Sequence, residues 1–482
     1  MVETANFIDG TWCPSESGET FDVHDPANPE TVVGTFPAST AVDVRAAIDA
    51  ATDAADAWGT TPAPKRGAIL RDAAQELDAD REALVELLVR EEGKTQAEAA
   101  GEVNRAVEIF YYYAEKTREL GGVRKPTSQR DRVLEVRAVP LGTVALITPW
   151  NFPIAIPAWK LAPALAAGNT VLLKPASDAP HMAAALVMAL DAAGLPDGVV
   201  NLVTGSGSVI GGELTTNPAI DAVSFTGSTA VGTAVANQAA EQLTRVQCEM
   251  GGKNPTVVMP SADLGDAVEI VASGGFGTTG QSCTACSRAI VHTRVVDAFT
   301  DALVERAEAL TVGPGLSGAD MGPQVNESEL TSTLGYVERA DLEGAIIATG
   351  GERVEPVDAP DGHFVAPTVL ADVDPHSEIA QSEVFGPVIA VISVDSFDEA
   401  IDVANGVPYG LSASIVTGDL SEAHRFTDRA EAGVVKINEK TTGLELHAPF
   451  GGFKDSSTNT YREQGEAGLE FFSATKTVYI NY

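Results

Sequence analysis

Apolar residues recur at helical spacing through the first quarter of the chain. Between residues 42 and 58 they include Val44, Ala47, Ile48, Ala51 and Ala55, one face of a 3.6-residue period. Residues 64–77 and 81–92 repeat that pattern. A longer helix is predicted over 96–120, with Val103, Ala106, Val107, Phe110 and Ala114 on one side. Ahead of these, residues 7–12 read as a hairpin turning at Asp9-Gly10, and residues 20–33 as short strands around a Pro-Ala-Asn-Pro turn. The period then changes. Residues 132–140 alternate as a strand, and 143–147 form a short apolar one. Strands at 170–174, 199–203 and 222–225 then interleave with helices at 158–167, 180–193, 208–215 and 229–241. Short apolar strands separated by helices predict a doubly wound parallel sheet, with the strand C-terminal ends on one ligand-binding edge. A second α/β run starts at 254–259 and takes in helices at 264–274 and 296–310 and strands at 289–292, 344–348 and 388–394. The alternating strand 475–481 stands apart from its own helices. With the strand at 132–139 it predicts an arm that crosses to another subunit.

Two glycine-rich turns fall on the first predicted sheet edge. Gly205-Ser-Gly207-Ser-Val-Ile-Gly211 and Phe225-Thr-Gly227-Ser228 each lead into a helix. Neither is a strict G-x-G-x-x-G, and any strand-to-helix turn favours glycine. Two of them at anion-favouring helix N-termini point to a nucleotide. The second run carries reactive chemistry. Cys283 follows the glycine-rich stretch 274–280 and has small neighbours that leave room for a substrate. Glu249-Met-Gly-Gly-Lys-Asn-Pro255 offers a carboxylate in an apolar setting, where burial raises its pKa toward that of a useful general base. A cysteine nucleophile with a glutamate base is the chemistry these stretches suggest.

Cys283-Thr-Ala-Cys286 is also a C-x-x-C, the pattern of half a zinc site or of a redox pair. No second C-x-x-C or histidine pair completes a metal site, so no metal is expected. Four cysteines in 482 residues make no disulfide framework.

The length suggests two to four domains. No window of about 18 apolar residues occurs, so no transmembrane helix is expected. The N-terminus has neither a basic start nor an apolar core, which leaves the cytoplasm as the expected compartment. Asp and Glu number 68 against 31 Lys and Arg, a net charge of -37, and only 11 of the basic residues are lysine. Such a surface repels nucleic acid and anionic membranes, and neither is expected as a partner. The carboxylates are dispersed rather than gathered in a tail. That dispersal favours salt adaptation over a merely acidic mesophilic enzyme, because scattered carboxylates keep a surface hydrated where charge is screened.

Taken in order and with their spacing, the motifs resemble those of the aldehyde dehydrogenase superfamily over nearly the whole chain. The resemblance rests on Thr148-Pro-Trp-Asn151-Phe-Pro, Phe225-Thr-Gly-Ser228, Glu249-Met-Gly-Gly-Lys-Asn-Pro, Gly280-Gln-Ser-Cys283-Thr-Ala, Glu383-Val-Phe-Gly-Pro and Pro449-Phe-Gly-Gly-Phe-Lys454. It implies an α/β fold with two doubly wound parallel-sheet domains and a small β oligomerisation arm. The NAD(P)-binding domain would comprise 1–120 and 141–251, the catalytic domain 252–460 and the arm 121–140 and 461–482, in a homodimer or homotetramer. Cys283 would attack an aldehyde, Asn151 and the Cys283 N–H would hold the oxyanion, and Glu249 would activate water against the thioester. Lys160 and Glu463 resemble a pair that relays protons from that glutamate; the alternative is a buried structural ion pair. Cofactor contacts are implied for Thr148, Pro149, Trp150, Lys174, Ser177, Gly207, Gly211, Phe225, Gly227, Ser228, Glu383 and Phe385. Ser177 stands where NAD-preferring relatives often carry glutamate. A carboxylate there would repel a 2′-phosphate and serine can donate to it, so NADP use alongside NAD is expected.

The block Thr442 to Ser457, with Tyr461-Arg-Glu-Gln-Gly465, is similar to the branch that oxidises 2,5-dioxopentanoate (α-ketoglutarate semialdehyde) in pentose and sugar-acid breakdown, although Cys286 commonly reads Thr there. Arg105 on the long helix would suit a substrate with a distal carboxylate; the alternative is a surface arginine paired with Glu102 or Glu108. Phe152, Trp159 and Phe450 are expected as tunnel walls, or as ordinary core. Succinate semialdehyde is the alternative substrate. A cationic aldehyde fits Arg105 less well, and CoA-acylating chemistry fits poorly with Glu249 present. A non-catalytic fold relative would not need Cys283, Glu249 and Asn151 together. Salt adaptation predicts a melting temperature that rises with KCl into the molar range; a fall above 1 M would contradict it.

Overall fold

The computed structural model describes residues 2–482; Met1, the first residue of the segment 1–120, lies outside them. One seven-stranded sheet runs Arg245–Glu249, Ala222–Thr226, Thr143–Ile147, Thr170–Lys174, Val200–Leu202, Asn6–Ile8, Thr11–Cys13. Its first five strands are parallel. The last two form the hairpin and join antiparallel at the edge. Asp9 and Gly10, with φ of 50 and 72, supply the left-handed pair that a two-residue turn requires. A second seven-stranded sheet runs Ile346–Thr349, Thr368–Ala371, Val388–Val394, Cys286–His292, Asn254–Val258, Ser412–Val416, Val434–Ile437. It is parallel except for Ile346–Thr349.

Both sheets therefore depart at one edge from the all-parallel expectation, for the same reason. A parallel step needs a crossover helix. Neither the two-residue hairpin nor the helix-free stretch 350–367 provides one. The interior strands Thr143–Ile147, Thr170–Lys174 and Ala222–Thr226 are buried almost throughout, as strands covered on both faces must be. Helix Ala155–Ala167 is apolar on all sides and almost wholly buried beside them.

A third sheet orders Ser473–Asn481, Arg132–Pro140 and Gly122–Lys125. Its register runs from Ser473 against Pro140 to Asn481 against Arg132. The expected 96–120 helix stops at Lys116; residues 117–119 turn instead, ahead of Gly121-Gly122 and the strand Gly122–Lys125. Val123, Tyr479, Ile480 and Tyr482 lie exposed on this sheet or beside it. Among the described residues no helix is long and apolar enough to cross a membrane. The first sheet's parallel strands end at Ile147, Lys174, Leu202, Thr226 and Glu249, and Asn151, just past the first of these ends, reaches the Gln281 carbonyl in the Cys283 loop.

Candidate active site

The loop before Cys283 is held in an unusual backbone. Thr278 and Thr279 have φ of 51 and 56, a left-handed conformation that β-branched residues avoid. Surrounding groups hold it there. Glu98 accepts the Thr278 N–H at 2.6 Å, and the Thr279 hydroxyl donates to the Gly322 carbonyl at 3.1 Å. Gly280 is obligatory, since a Cβ there would lie 2.1 Å from the Gly386 carbonyl oxygen. Behind the nucleophile, Asn254 donates to the carbonyls of Cys283 (2.8 Å) and Ala285 (2.9 Å) and accepts the Ser412 N–H at 2.9 Å. The Cys283 side chain is left partly exposed to a channel. Cys286 belongs to the core instead, with its thiol 3.2 Å from the Thr256 hydroxyl. The two halves of the C-x-x-C thus face different surroundings, and both thiols are free. Among the described residues no group of three or more His, Cys, Asp or Glu side chains is placed to hold a metal ion.

Glu249 ends the strand Arg245–Glu249 and is fully buried. One carboxylate oxygen accepts the Gly452 N–H at 3.0 Å, and the other has no protein partner. Glu463 lies close by, ion-paired to Lys160. Lys160 also donates to the Ser224 hydroxyl (2.7 Å), and the Trp159 indole N–H donates to Glu463 (2.8 Å). Burial, and then the Glu463 charge, push Glu249 well above the ordinary carboxyl range. Burial and the carboxylates of Glu383, Glu249 and Glu463 push the Cys283 thiol up as well. Both groups therefore keep their protons to higher pH than they would in water.

Asn151 is buried 130 residues upstream. Its side-chain amide donates once to the Gln281 carbonyl at 2.9 Å, leaving the second N–H uncommitted. The segment beginning at Asn151 is clamped from one side. Lys94 donates to the Asn151 carbonyl and lies 4.7 Å over the Phe152 ring. Glu102 accepts the N–H groups of Ile154 (3.0 Å) and Ala155 (3.1 Å), capping helix Ala155–Ala167. Lys94 pairs with Glu92 at 2.9 Å and Glu102 at 3.4 Å, all three side chains buried. Sequence reasoning missed Lys94, Glu98 and Asn254 as organisers. The available signal was Glu98, Glu102 and Arg105 at i, i+4 and i+7 on helix Gln96–Lys116, flanking its apolar stripe.

The expected cofactor residues gather along the first sheet's edge. Lys174 is buried, pushed down to about 8 by burial, and donates to the Pro175 carbonyl at 2.7 Å. Gly207 opens helix Gly207–Thr216 beside it; a Cβ there would lie 3.9 Å from the lysine side chain. Gly211 sits one turn on with open space around it, so close packing does not explain that glycine. The Ser177 hydroxyl donates to the Gly205 carbonyl at 3.1 Å. Its proton is committed, so serine matters here as the lack of a carboxylate rather than as a donor. Gly227 lies over the Phe225 ring, which a Cβ would approach to 2.6 Å. Ser228 caps helix Thr229–Glu241 by accepting from Val231 at 3.4 Å. Trp150 meets Phe385 edge-on at 5.4 Å, next to Pro149. Glu383 accepts the Gly252 N–H at 2.9 Å and is pushed up to about 7 by burial. The hydroxyls of Thr148 and Thr226 are buried without a partner. Orphaned hydroxyls, a glycine cradle and a capped helix N-terminus fit a dinucleotide.

A channel of about 410 Å³ opens on Cys283, with Arg105, Phe152, Trp159, Phe450 and Gln464 in its wall. Trp159 and Phe450 stand 6.3 Å apart. Arg105 is half-buried and donates to the side-chain amide oxygen of Gln464 at 3.2 Å. It pairs with neither Glu102, which Lys94 and the helix N-terminus engage, nor Glu108.

Residues 12–478 match the model of the aldehyde dehydrogenase family. The chain belongs to the aldehyde dehydrogenase family. It is 58% identical over 477 residues to the alpha-ketoglutarate semialdehyde dehydrogenase of Haloferax volcanii, with 99% of each chain covered. It is 43% identical over 470 residues to the 2,5-dioxopentanoate dehydrogenase of Saccharolobus solfataricus, with 97% of each covered. The crystal structure of betaine aldehyde dehydrogenase from Staphylococcus aureus in complex with NAD+ superposes with a TM-score of 0.97 at 34% identity, covering 100% of this chain and 95% of that one.

As an NAD(P)-dependent aldehyde dehydrogenase, the protein oxidises an aldehyde to an acid. Glu463 is a like charge that raises Glu249, so Glu463→Gln lowers the Glu249 pKa and its base form persists to lower pH. The acidic limb of the kcat profile is expected to move to lower pH in this variant; a shift to higher pH would contradict the electrostatic assignment.

Proposed function

We propose that this enzyme oxidises 2,5-dioxopentanoate to 2-oxoglutarate, with Arg105 holding the distal carboxylate. The observation that carries the reading is a half-buried guanidinium in the wall of the channel that leads to Cys283. Burial pulls Arg105 below its ordinary pKa, which leaves it well within the charged range at neutral pH. A fork of donors in a desolvated wall suits a carboxylate and not a cationic aldehyde. The names borne by the Haloferax and Saccharolobus relatives support the same substrate.

In the proposed mechanism, Cys283 Sγ gives up its proton and attacks the aldehyde carbon. The free N–H of Asn151 and the backbone N–H of Cys283 hold the resulting oxyanion. NAD(P)+, when bound, supplies the acceptor for the hydride that leaves this carbon. Glu249 then takes a proton from water, which attacks the Cys283 thioester, releasing the acid and the thiol. The buried Glu249 oxygen that has no protein partner supports this role. Glu463 and Lys160 carry the proton onward. Lys174, Gly207, Gly227 and Ser228 bind the adenosine and diphosphate side, with Thr148 and Thr226 offering their hydroxyls. Glu383 holds the nicotinamide ribose, and Trp150 and Phe385 pack beside it. We assign no role to a metal. The 121–140 and 461–482 arm joins subunits into a homodimer or homotetramer through its exposed apolar residues.

NADP is the favoured cofactor because Ser177 brings no carboxylate against a 2′-phosphate. Arg105→Met is expected to raise KM for 2,5-dioxopentanoate roughly ten-fold or more and leave pentanal nearly unchanged. An equal effect on both would refute the carboxylate assignment. Ser177→Glu is expected to move the NADP/NAD ratio of kcat/KM toward NAD by about ten-fold or more. An unchanged ratio would remove Ser177 from the account.

A further inference from the structure

We propose that Gln464 is a specificity residue that donates to the 2-oxo oxygen of the substrate while Arg105 holds the adjacent carboxylate. The inference rests on the Arg105 reading above and adds a second contact to it. Gln464 is 1% exposed and stands in the channel wall. Its backbone has φ of 61 with extended ψ, sparsely populated for any residue but glycine. The surrounding structure imposes that conformation. Glu463, just before it, exchanges backbone hydrogen bonds with Phe450 at 2.7 Å each way, and the Gln464 carbonyl accepts the Gly468 N–H at 3.0 Å.

The side chain is half satisfied. A guanidinium can only donate, so the amide oxygen of Gln464 must face Arg105. That orientation fixes the NH2 group on the other side, where it is buried and has no acceptor. A buried donor without a partner is costly, and an aliphatic side chain would fill the same place without that cost. The missing acceptor is one that arrives with the substrate. The carboxylates nearby do not fill the role. Glu98 is engaged by Thr95 and Thr278, and Glu102 by Lys94 and the 154–155 backbone. Glu108 and Glu445 act on the Arg105 charge from outside this contact. An α-keto acid carries its carboxylate and its 2-oxo oxygen side by side on one edge. An arginine fork beside an orphaned amide N–H matches that edge.

The test compares 2,5-dioxopentanoate with 5-oxopentanoate, which has the same length and carboxylate but a CH2 in place of the 2-oxo carbon. The wild type is expected to favour the keto acid by about ten-fold or more in kcat/KM, as a site with a buried unpaired donor discriminates. Gln464→Leu, with Gln464→Met as a second variant of matching length, is expected to bring that ratio near one, with the larger loss on the keto acid. Circular dichroism melting identifies whichever variant folds. An unchanged ratio, or an equal loss on both substrates, would overturn the proposal, the second outcome reducing Gln464 to a support for Arg105. Arg105→Met should lower both substrates alike. If it lowers neither, the carboxylate reading itself fails, a result separate from the Gln464 ratio.

Discussion

One buried ammonium organises much of this site. Lys94 meets Glu92, Glu102, the Asn151 carbonyl and the Phe152 ring. Burial alone would push Lys94 down, but the two carboxylates outweigh it and hold the lysine above its ordinary value. The same burial pushes Glu92 up to about 8, against the pull of the Lys94 ammonium. Removing one member of such a group leaves a buried charge uncompensated, at a cost of about 3–5 kcal/mol. The cluster sets where the Asn151 backbone lies and where helix Ala155–Ala167 begins. That helix presents Trp159 to the channel and Lys160 to Glu463. Asn151, the channel wall and the Lys160–Glu463 ion pair beside Glu249 thus share one anchor.

Around that anchor the chemistry depends on carboxyl groups kept out of water. Glu249 and Glu463 lie in one buried pocket, and only Lys160 is ion-paired there. Burial first, and then the Glu463 charge, raise Glu249 well above the ordinary carboxyl range. The same negative surroundings raise Cys283, so thiolate formation is coupled to the protonation of its neighbours. The strained Thr278-Thr279 backbone and the Asn254 contacts fix the thiol's position against that field. Strain in the loop and burial in the pocket both act to hold the Cys283 thiol and the Glu249 carboxyl in place.

Most of the fold was legible because the strands Thr143–Ile147, Thr170–Lys174 and Ala222–Thr226 are short, apolar and separated by helices. The edges were not, because pairing direction follows from connection length and no residue in Ile346–Thr349 encodes it. Cys283 and Glu249 stood out through their glycine-rich and apolar settings, and Asn151 through the resemblance of Thr148-Pro-Trp-Asn151-Phe-Pro to a family motif. Lys94, Glu98 and Asn254 did not, because each acts on backbone groups 29 to 180 residues away, a relation set by packing rather than by local pattern. Ser177 was found, but its hydroxyl bond to Gly205 could come only from three-dimensional structure. Gln464 carries the same lesson, since nothing in Arg-Glu-Gln-Gly announces an amide with one end satisfied.

The division of labour between Cys283 and Glu249 is the centre of this account. Intact-protein mass spectrometry of Glu249→Gln, mixed with 2,5-dioxopentanoate and NADP+, tests it most directly. The account predicts a single-turnover burst of reduced cofactor and an acyl adduct on Cys283 that persists. Full steady-state turnover in this variant, or a burst without an adduct on Cys283, would contradict it.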